Sequence, residues 1–150
     1  MMITFHKEFL CEVVNEVDAL LKLHYEELTR NKDRVKLDPI WTDYAALEQA
    51  GRFHVFTARE DGLLVGYAAF FVQQHLHYRD LRVAMNDVLF LNPEHRLGMT
   101  GIRLLKFCET ELKKLGVQKL VWHAKLDTSL IPILHRLNYQ TEEISLARFL

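Results

Sequence analysis

The stretch that most restricts the fold is residues 87–123, where a strand, a loop, a helix and a second strand follow one another. Asp87–Leu91 reads DVLFL, an apolar run typical of a buried strand. Gly101–Leu115 has the apolar spacing of an amphipathic helix that ends at Gly116, and residues 117–123 (VQKLVWH) again have strand character. A strand, a helix and a strand in this order form a βαβ crossover, so the two strands should be parallel or nearly parallel neighbours.

The remaining elements extend this unit to one mixed α/β (α+β) domain over residues 1–150. The patterns predict a helix over residues 6–30, a helix over Trp41–Ala50, strands over Phe53–Arg59, Leu64–Gln73 and Val83–Leu91, a short helix from Ser129 to about Asn138, and a last strand over Tyr139–Leu150. Asp61-Gly62 is a strong hairpin signal between the first two strands, which should therefore pair antiparallel.

The net charge and the cysteines limit the expected binding partners and the expected chemistry of the chain. The formal net charge is −1, so neither nucleic acid nor an anionic membrane surface is an expected partner. Cys11 and Cys108 lie in helical patterns outside any redox or zinc motif, and we expect both to be reduced thiols. The N-terminal residues lack the pattern of a leader, and no apolar run reaches the roughly 18 residues of a membrane span. A cytoplasmic protein is the resulting expectation.

The loop Asn92–Gly101 (NPEHRLGMTG) places glycines and Arg96 directly before a helix. A helix N-terminus presents unpaired N–H groups and partial positive charge, and glycine lets a ligand approach the backbone, so the loop could bind phosphate. The alternative is a plain strand-to-helix turn that contains Gly and Arg. A nucleotide-phosphate binder of another α/β type is less favoured, because the Walker A and GxGxxG patterns are absent.

The residues Asp87–Arg96, followed by Gly98, Gly101 and Leu104-Leu105, resemble the acetyl-CoA signature of the GNAT superfamily of N-acetyltransferases. The order of elements over nearly the whole chain is also similar to that family, in particular to phage-encoded or bacterial relatives. The resemblance implies a GNAT-like fold, with a mostly antiparallel mixed sheet, a βαβ acyl-CoA-binding unit and helices on both faces. It implies acetyl-CoA as co-substrate and direct attack of a primary amine on the acetyl group in a ternary complex.

The resemblance also assigns site residues. Backbone groups of Leu89 and Leu91 would receive the pantetheine amides. The full set expected to bind acetyl-CoA is Leu89, Phe90, Leu91, Arg96, Leu97, Gly98, Met99, Thr100, Gly101 and Asp127. Asp87 is the first candidate for the general base and His123 the second. The structural alternatives are a half-buried carboxylate that caps backbone at Asp87 and a packed, hydrogen-bonded imidazole at His123.

Two positions depart from the family pattern. Met99 stands where the signature has its middle glycine, and Leu134 stands where the family usually has the tyrosine that protonates the departing thiolate. His135 follows Leu134 but should point elsewhere. A GNAT-fold binding or structural module with lost or weak catalysis is therefore the alternative to an enzyme.

The acceptor is expected to be a small-molecule or peptide amine. The resemblance places the loop Thr29–Trp41 and the pair Tyr78-Arg79 beside the acceptor pocket, and it implies that two copies can form a homodimer. His75 and His77 share one face of an extended stretch and could bind a metal ion. They lack a nearby acidic or cysteine partner in the sequence, so we predict no metal site.

Overall fold

The computed structural model describes residues 2–150. In chain order the elements are β1 (Ile3–Glu8), α1 (Leu10–Leu28), α2 (Trp41–Gln49), β2 (Phe53–Glu60), β3 (Leu63–Gln74), β4 (Arg82–Leu91), a 3-10 turn (Pro93–His95), α3 (Thr100–Lys114), β5 (Lys119–Val121) and α4 (Leu130–Arg136). The predicted strands and helices in the middle of the chain are found within a few residues of their expected ends.

The strands form one sheet in the order β1-β2-β3-β4-β5. Neighbours are antiparallel from β1 to β4, and β5 lies parallel to β4 through the pairs Val83–Lys119, Ala84–Leu120 and Met85–Val121. The helix α3 makes the crossover between these two parallel strands. The predicted mixed, mostly antiparallel sheet with a βαβ unit is confirmed.

Side chains that alternate along β2 and β3 build a separate core on each face of the sheet. Phe56 and Phe70 point to one face and pack with Leu104 and Cys108 of α3. On the opposite face, the side chains under α1 and α2 include Val13, Val17, Tyr67 and Phe90 in one cluster and Leu10, Phe53, Val55 and Ala69 in another. Helices therefore cover both faces, as predicted, and this second face carries the candidate site.

The first predicted helix is wrong at its N-terminal end. Residues 3–8 (ITFHKE) form the edge strand β1, and the helix begins at Leu10, after Phe9 in an extended conformation. The register from Ile3–Glu60 to Glu8–Val55 shows that β1 is held by β2. Pairing with a distant strand overrides the local helical spacing here, which a single-sequence pattern does not contain.

The predicted last strand over Tyr139–Leu150 is also wrong. The helix α4 ends with Tyr139 N–H donating to the Leu134 carbonyl, and the residues after Tyr139 are exposed and belong to no strand. Ile144 and Leu146 are 82% and 91% exposed. The neighbouring strand β5 is three residues long. Three residues offer too short an edge for the weakly alternating segment after Tyr139 to pair with it as a further strand.

Candidate functional site

The strands β4 and β5 separate just beyond Met85 and Val121, the last paired residues. The Asn86 side chain fills the gap: its amide donates to the His123 carbonyl at 3.1 Å, and its carbonyl oxygen accepts from the His123 N–H. Because a side chain takes the backbone groups that a ladder would use, the predicted strand Val117–His123 shortens to Lys119–Val121. Within residues 2–150, the second half of β4 has β3 as its only neighbouring strand.

Asp87 lies at a bulge in β4. Ala69 of β3 faces Val88 and Phe70 faces Asn86, so Asp87 is the additional residue on its strand. A bulge changes the direction of a side chain relative to regular alternation, and bulges are frequent beside functional sites. Here Asp87 and Val88 both line the same cavity. The bulge thus presents a carboxylate at the point where β4 loses its second neighbour.

The cavity has a volume of about 320 Å³ and lies between α1, α2, the loop that connects them and the sheet. Its aromatic lining consists of Tyr25, Trp41, Tyr44, Phe53 and Tyr67. The connecting loop contributes Thr29, Leu37, Asp38 and Pro39, which agrees with the expectation that this loop shapes a pocket. Tyr78 and Arg79 do not line it.

The Asp87 carboxylate is half-buried and oriented by one tyrosine. The Tyr44 hydroxyl donates to Asp87 Oδ2 at 2.8 Å. Burial raises the pKa of Asp87, while the hydrogen bond from Tyr44 lowers it, and burial prevails. The charge of Asp87 in turn contributes, after burial, to a raised pKa of the Tyr67 hydroxyl. Carboxylates whose pKa is raised by burial in a cavity are candidates for proton transfer.

His24 lies at the end of the cavity nearest to the tip of β4. Its Nδ1 lies 3.3 Å from the Tyr67 hydroxyl, and its ring stacks on Phe90 with a centroid distance of 5.2 Å. Burial lowers the pKa of His24, so the imidazole is neutral near pH 7. The cavity therefore contains a hydrogen-bonded neutral histidine together with the carboxylate of Asp87.

The loop after β4 is open at the positions where a phosphate would approach. Gly98 has φ +80, a conformation that favours glycine, and a Cβ there would meet no atom within 4 Å. Met99 has an ordinary backbone (φ −99) and a 58% exposed side chain. The loop thus has its positive-φ glycine one position before the expected one, and the Met99 side chain is largely in solvent.

Arg96 lies at the start of this loop, but its guanidinium reaches toward α1. Its Nε donates to the Leu91 carbonyl at 2.7 Å, and its two terminal nitrogens bind Glu27 at 2.5 and 2.7 Å. The guanidinium also lies over the Phe90 ring at 5.3 Å. Arg96 therefore joins the loop Asn92–Gly101 to the last turn of α1, and part of its charge is neutralised.

The predicted residues after β5 do not line the cavity. His123 is exposed and does not line the cavity, although its backbone is held by Asn86. Asp127 is exposed in the turn before α4 with φ +62, and Leu134 is buried in the core. His135 bonds with the Thr141 hydroxyl at 3.1 Å. The structure thus places Asp87, but not His123, in the cavity.

Sequence reasoning missed four side chains of this site: Tyr44, Tyr67, His24 and Asn86. Tyr44 lies on α2, which has no buried residue and only weak amphipathic character, so its spacing carried no signal. Tyr67 and Asn86 are ordinary strand residues in the sequence. Their roles follow from the antiparallel register of β3 and β4 and from the position of α1 over the sheet.

Within residues 2–150, no helix combines the length and apolar character that a membrane crossing requires. No group of three or more His, Cys, Asp or Glu side chains lies close enough together there to hold a metal ion, and this includes His75 and His77.

Solved structures share this architecture. A ribosomal-protein-alanine N-acetyltransferase from Brucella melitensis biovar Abortus 2308 has a TM-score of 0.75 and 20% identity, with 99% of this chain and 100% of that chain covered. An aminoglycoside acetyltransferase from an uncultured soil metagenomic sample has a TM-score of 0.79 and 16% identity, with 100% and 99% covered. A predicted acetyltransferase from Clostridium acetobutylicum, solved with acetyl-CoA, has a TM-score of 0.74 and 16% identity, with 99% and 96% covered.

These identities establish a shared fold. No curated protein sequence matches the chain. A family model does match: the acetyltransferase (GNAT) family, over residues 17–137, which contains both the bulge at Asp87 and the loop before α3. The predicted family and its acetyltransferase class are confirmed by this match, and the chain belongs to the GNAT family of acetyltransferases.

Proposed function

We propose that the protein is an acetyl-CoA-dependent N-acetyltransferase that acts on a small primary amine. The observation that carries this proposal is the position of Asp87. It projects from a bulge where β4 and β5 part, into a cavity with an aromatic wall, and the open glycine loop lies at the end of the same strand. Acceptor, acetyl group and phosphates can therefore be arranged along one strand.

The residues of the phosphate loop fit the acyl carrier. Gly98 has open space beside its Cα, and a Cβ on Gly101 would meet only Leu91 Cδ2, at 3.9 Å. Backbone N–H groups of residues 97–101 would hold the pyrophosphate. The edge of β4 that has no neighbouring strand would hold the pantetheine amides through Leu89 and the Leu91 N–H, since the Leu91 carbonyl already accepts from Arg96 Nε. Asp127, in the turn before α4, completes the set of residues that the family resemblance assigns to acetyl-CoA. When bound, acetyl-CoA supplies the thioester from which the acetyl group is transferred.

The protein's own contribution is to position the amine and accept its proton. The Asp87 carboxylate can take the proton from an ammonium in the cavity, directly or through one water, while Tyr44 fixes its orientation at 2.8 Å. The raised pKa of Asp87 brings its basicity closer to neutral pH, where proton transfer is most efficient. The apolar walls exclude water from the carboxylate and strengthen its electrostatic effect.

Leu134 has no proton to donate to the leaving thiolate. A thiol has an ordinary pKa of about 8.5, so a thiolate is a tolerable leaving group near neutral pH without full protonation. We expect slower turnover than a chain with tyrosine at this position would have, and no loss of the reaction. The second candidate, a CoA-binding module without catalysis, is favoured by the burial of Leu134 in the core.

Calorimetric titration with acetyl-CoA and CoA tests the cofactor part of the proposal. We expect micromolar binding to the wild type. Gly101→Glu places a carboxylate at the N-terminus of α3, and binding should weaken by at least about 10-fold, because like charges repel where the helix would favour an anion. Thr110→Glu puts the same charge on an exposed position of the same helix and should leave affinity unchanged. Arg96→Ala should weaken binding less than Gly101→Glu, since Glu27 already neutralises part of its charge.

Absence of wild-type binding to a folded protein would contradict the cofactor proposal. Binding without acetyl transfer to any amine of a broad panel would favour the second candidate. Release of free thiol from acetyl-CoA, dependent on the added amine, would support the enzyme.

The Glu27→Gln variant tests the ion pair with Arg96 that joins the loop before α3 to α1. Both partners are partly exposed, so we expect a loss of at most about 1 kcal/mol of stability at neutral pH. The hydrogen bonds from Arg96 hold the pKa of Glu27 below its ordinary value of 4.5, so the stabilisation is present above that value and is lost as pH falls through the lowered pKa. Removing the glutamate charge should also increase CoA affinity about 2- to 5-fold at low salt.

Thermal denaturation between pH 3 and 7, combined with calorimetry at two salt concentrations, measures both effects. The variant Glu26→Gln is a control on the same helix turn, because Glu26 does not contact Arg96. Equal stability of the Glu27→Gln variant and wild type at all pH values, with no change in affinity, would show that the pair has no role at the loop.

A further inference from the structure

The cavity beside Asp87 has the wall of an aromatic-binding pocket. The rings of Trp41 and Tyr44 lie 5.9 Å apart, and Tyr44 and Phe53 lie 4.9 Å apart in a tilted contact. These three rings, from α2 and β2, face the inner side of α1, which contributes Val17 and Leu21. An aryl or alkyl group that enters this space would be surrounded mainly by carbon.

Few charged side chains line the cavity, and those that do are acidic. The acidic side chains that line the cavity are Asp87, which is half-buried, and Asp38, which is exposed on the connecting loop. No Lys, Arg or Glu is found among the described lining residues. His24 is kept neutral by burial, which lowers its pKa. One deep carboxylate can compensate one buried ammonium, and a second ammonium could reach only the exposed Asp38.

This arrangement disfavours acceptors with many hydroxyl and amino groups. Every polar group taken into the cavity needs a hydrogen-bond partner, and an unsatisfied one reduces binding. Beyond the two aspartates, the polar partners offered by the walls are a few hydroxyls and one imidazole, and Tyr44 and Tyr67 are already engaged with Asp87 and His24. The cavity volume of about 320 Å³ is also at the lower end for a small-molecule site.

We propose that the acceptor is a primary amine with a single deep cationic group on an apolar aryl or alkyl body, with the ammonium at Asp87 and the body against Trp41, Tyr44 and Phe53. This inference rests on the proposed acetyltransferase function and names its substrate class. The apolar body supplies binding energy at a distance from the reacting nitrogen, and the carboxylate directs that nitrogen toward the parting of β4 and β5.

The test compares amines that share the reactive group but differ in the body. Phenethylamine, ethylamine, spermidine and kanamycin are assayed for amine-dependent thiol release from acetyl-CoA. Burial of the phenyl group should give phenethylamine a kcat/KM about 10- to 100-fold above that of ethylamine. Spermidine and kanamycin should be at least about 10-fold poorer than phenethylamine, because they carry polar groups that the walls cannot satisfy.

Two variants test whether the cavity walls cause the preference for phenethylamine over ethylamine. Trp41→Ala should remove most of the preference for phenethylamine over ethylamine, because the ring wall is lost. Leu21→Trp fills the cavity from the half-buried face of α1, and should exclude phenethylamine while ethylamine is still accepted. The second variant keeps the test decisive if Trp41→Ala does not fold, and circular dichroism checks the fold of both.

The outcomes separate this inference from the function on which it rests. Preferred acetylation of kanamycin or spermidine, or equal use of phenethylamine and ethylamine, would leave the acetyltransferase intact and overturn the substrate class. If no amine is acetylated, the proposed function fails, and saturation-transfer NMR of the amines with the protein decides the inference alone. Binding of phenethylamine that is weakened by Asp87→Asn would support it, and no binding would overturn it.

Discussion

Replacement of Asp87 by asparagine is expected to lower kcat/KM for amine acetylation by about 10²- to 10⁴-fold, the usual contribution of a general base. The substitution keeps the shape of the side chain, and its carbonyl oxygen can still accept the Tyr44 hydrogen bond. The geometry of the cavity should therefore be retained. What is lost is the negative charge and the ability to accept a proton.

The same substitution should not destabilise the fold at neutral pH. Burial raises the pKa of Asp87, so the ionised carboxylate costs stability, and this cost grows as pH rises from the ordinary value of 3.8 through the raised pKa. Asparagine carries no such cost. We expect the variant to be at least as stable as wild type near pH 7 and to lose this advantage below the ordinary aspartate pKa, where both side chains are neutral.

Steady-state kinetics and thermal denaturation across pH 3–8 measure the two effects together. Asp43→Asn is the matched control, because Asp43 is exposed on α2 and does not line the cavity. Tyr44→Phe should give an intermediate loss of rate, since it removes the orienting hydrogen bond and leaves the base. An Asp87→Asn variant with wild-type kcat/KM would exclude Asp87 as the base, and proton transfer would then have to be assigned to another group.

The second large effect is expected for Gly66→Ala in β3. A Cβ at this position would lie 2.7 Å from Leu91 Cδ1 and 2.8 Å from the Phe90 carbonyl oxygen, and one of these atoms belongs to the backbone. Because a backbone atom cannot rotate away, β3 and β4 must move apart. We expect a loss of about 1–3 kcal/mol in the free energy of unfolding, which is roughly 3–10 °C in Tm for a chain of this size.

If the loop Asn92–Gly101 binds the phosphates as proposed, the displacement should also weaken CoA binding, because Phe90 and Leu91 form the end of β4 from which that loop starts. Thermal denaturation and calorimetry on one preparation measure both quantities. Gly101→Ala is the control for stability: its Cβ would contact only Leu91 Cδ2, at 3.9 Å, and it lies in the first turn of a helix, where alanine is favourable. An unchanged Tm for Gly66→Ala would mean that β4 adjusts at little cost.

Much of the fold was predictable because its signals are local. The parallel pair and its crossover were predicted from the apolar run at Asp87–Leu91, the helix that ends at Gly116 and the strand after it. The antiparallel hairpin was predicted from Asp61-Gly62. Non-local pairing explains the errors. Residues 3–8 become a strand because β2 offers them an edge, and residues after Tyr139 are not a strand because β5 is too short to hold them.

The candidate site likewise has a part that follows from neighbouring residues in the chain and a part that depends on contacts between distant ones. The sequence by itself determined that a carboxylate stands on the strand before a glycine loop and a helix, since these residues are adjacent along the chain. Only the tertiary structure decided that Asp87 is the residue at a bulge, that Tyr44 from α2 holds it, and that Glu27 of α1 binds Arg96. Those contacts join side chains 43 and 69 positions apart, and such partners are selected by sheet register and helix packing, which no local pattern records.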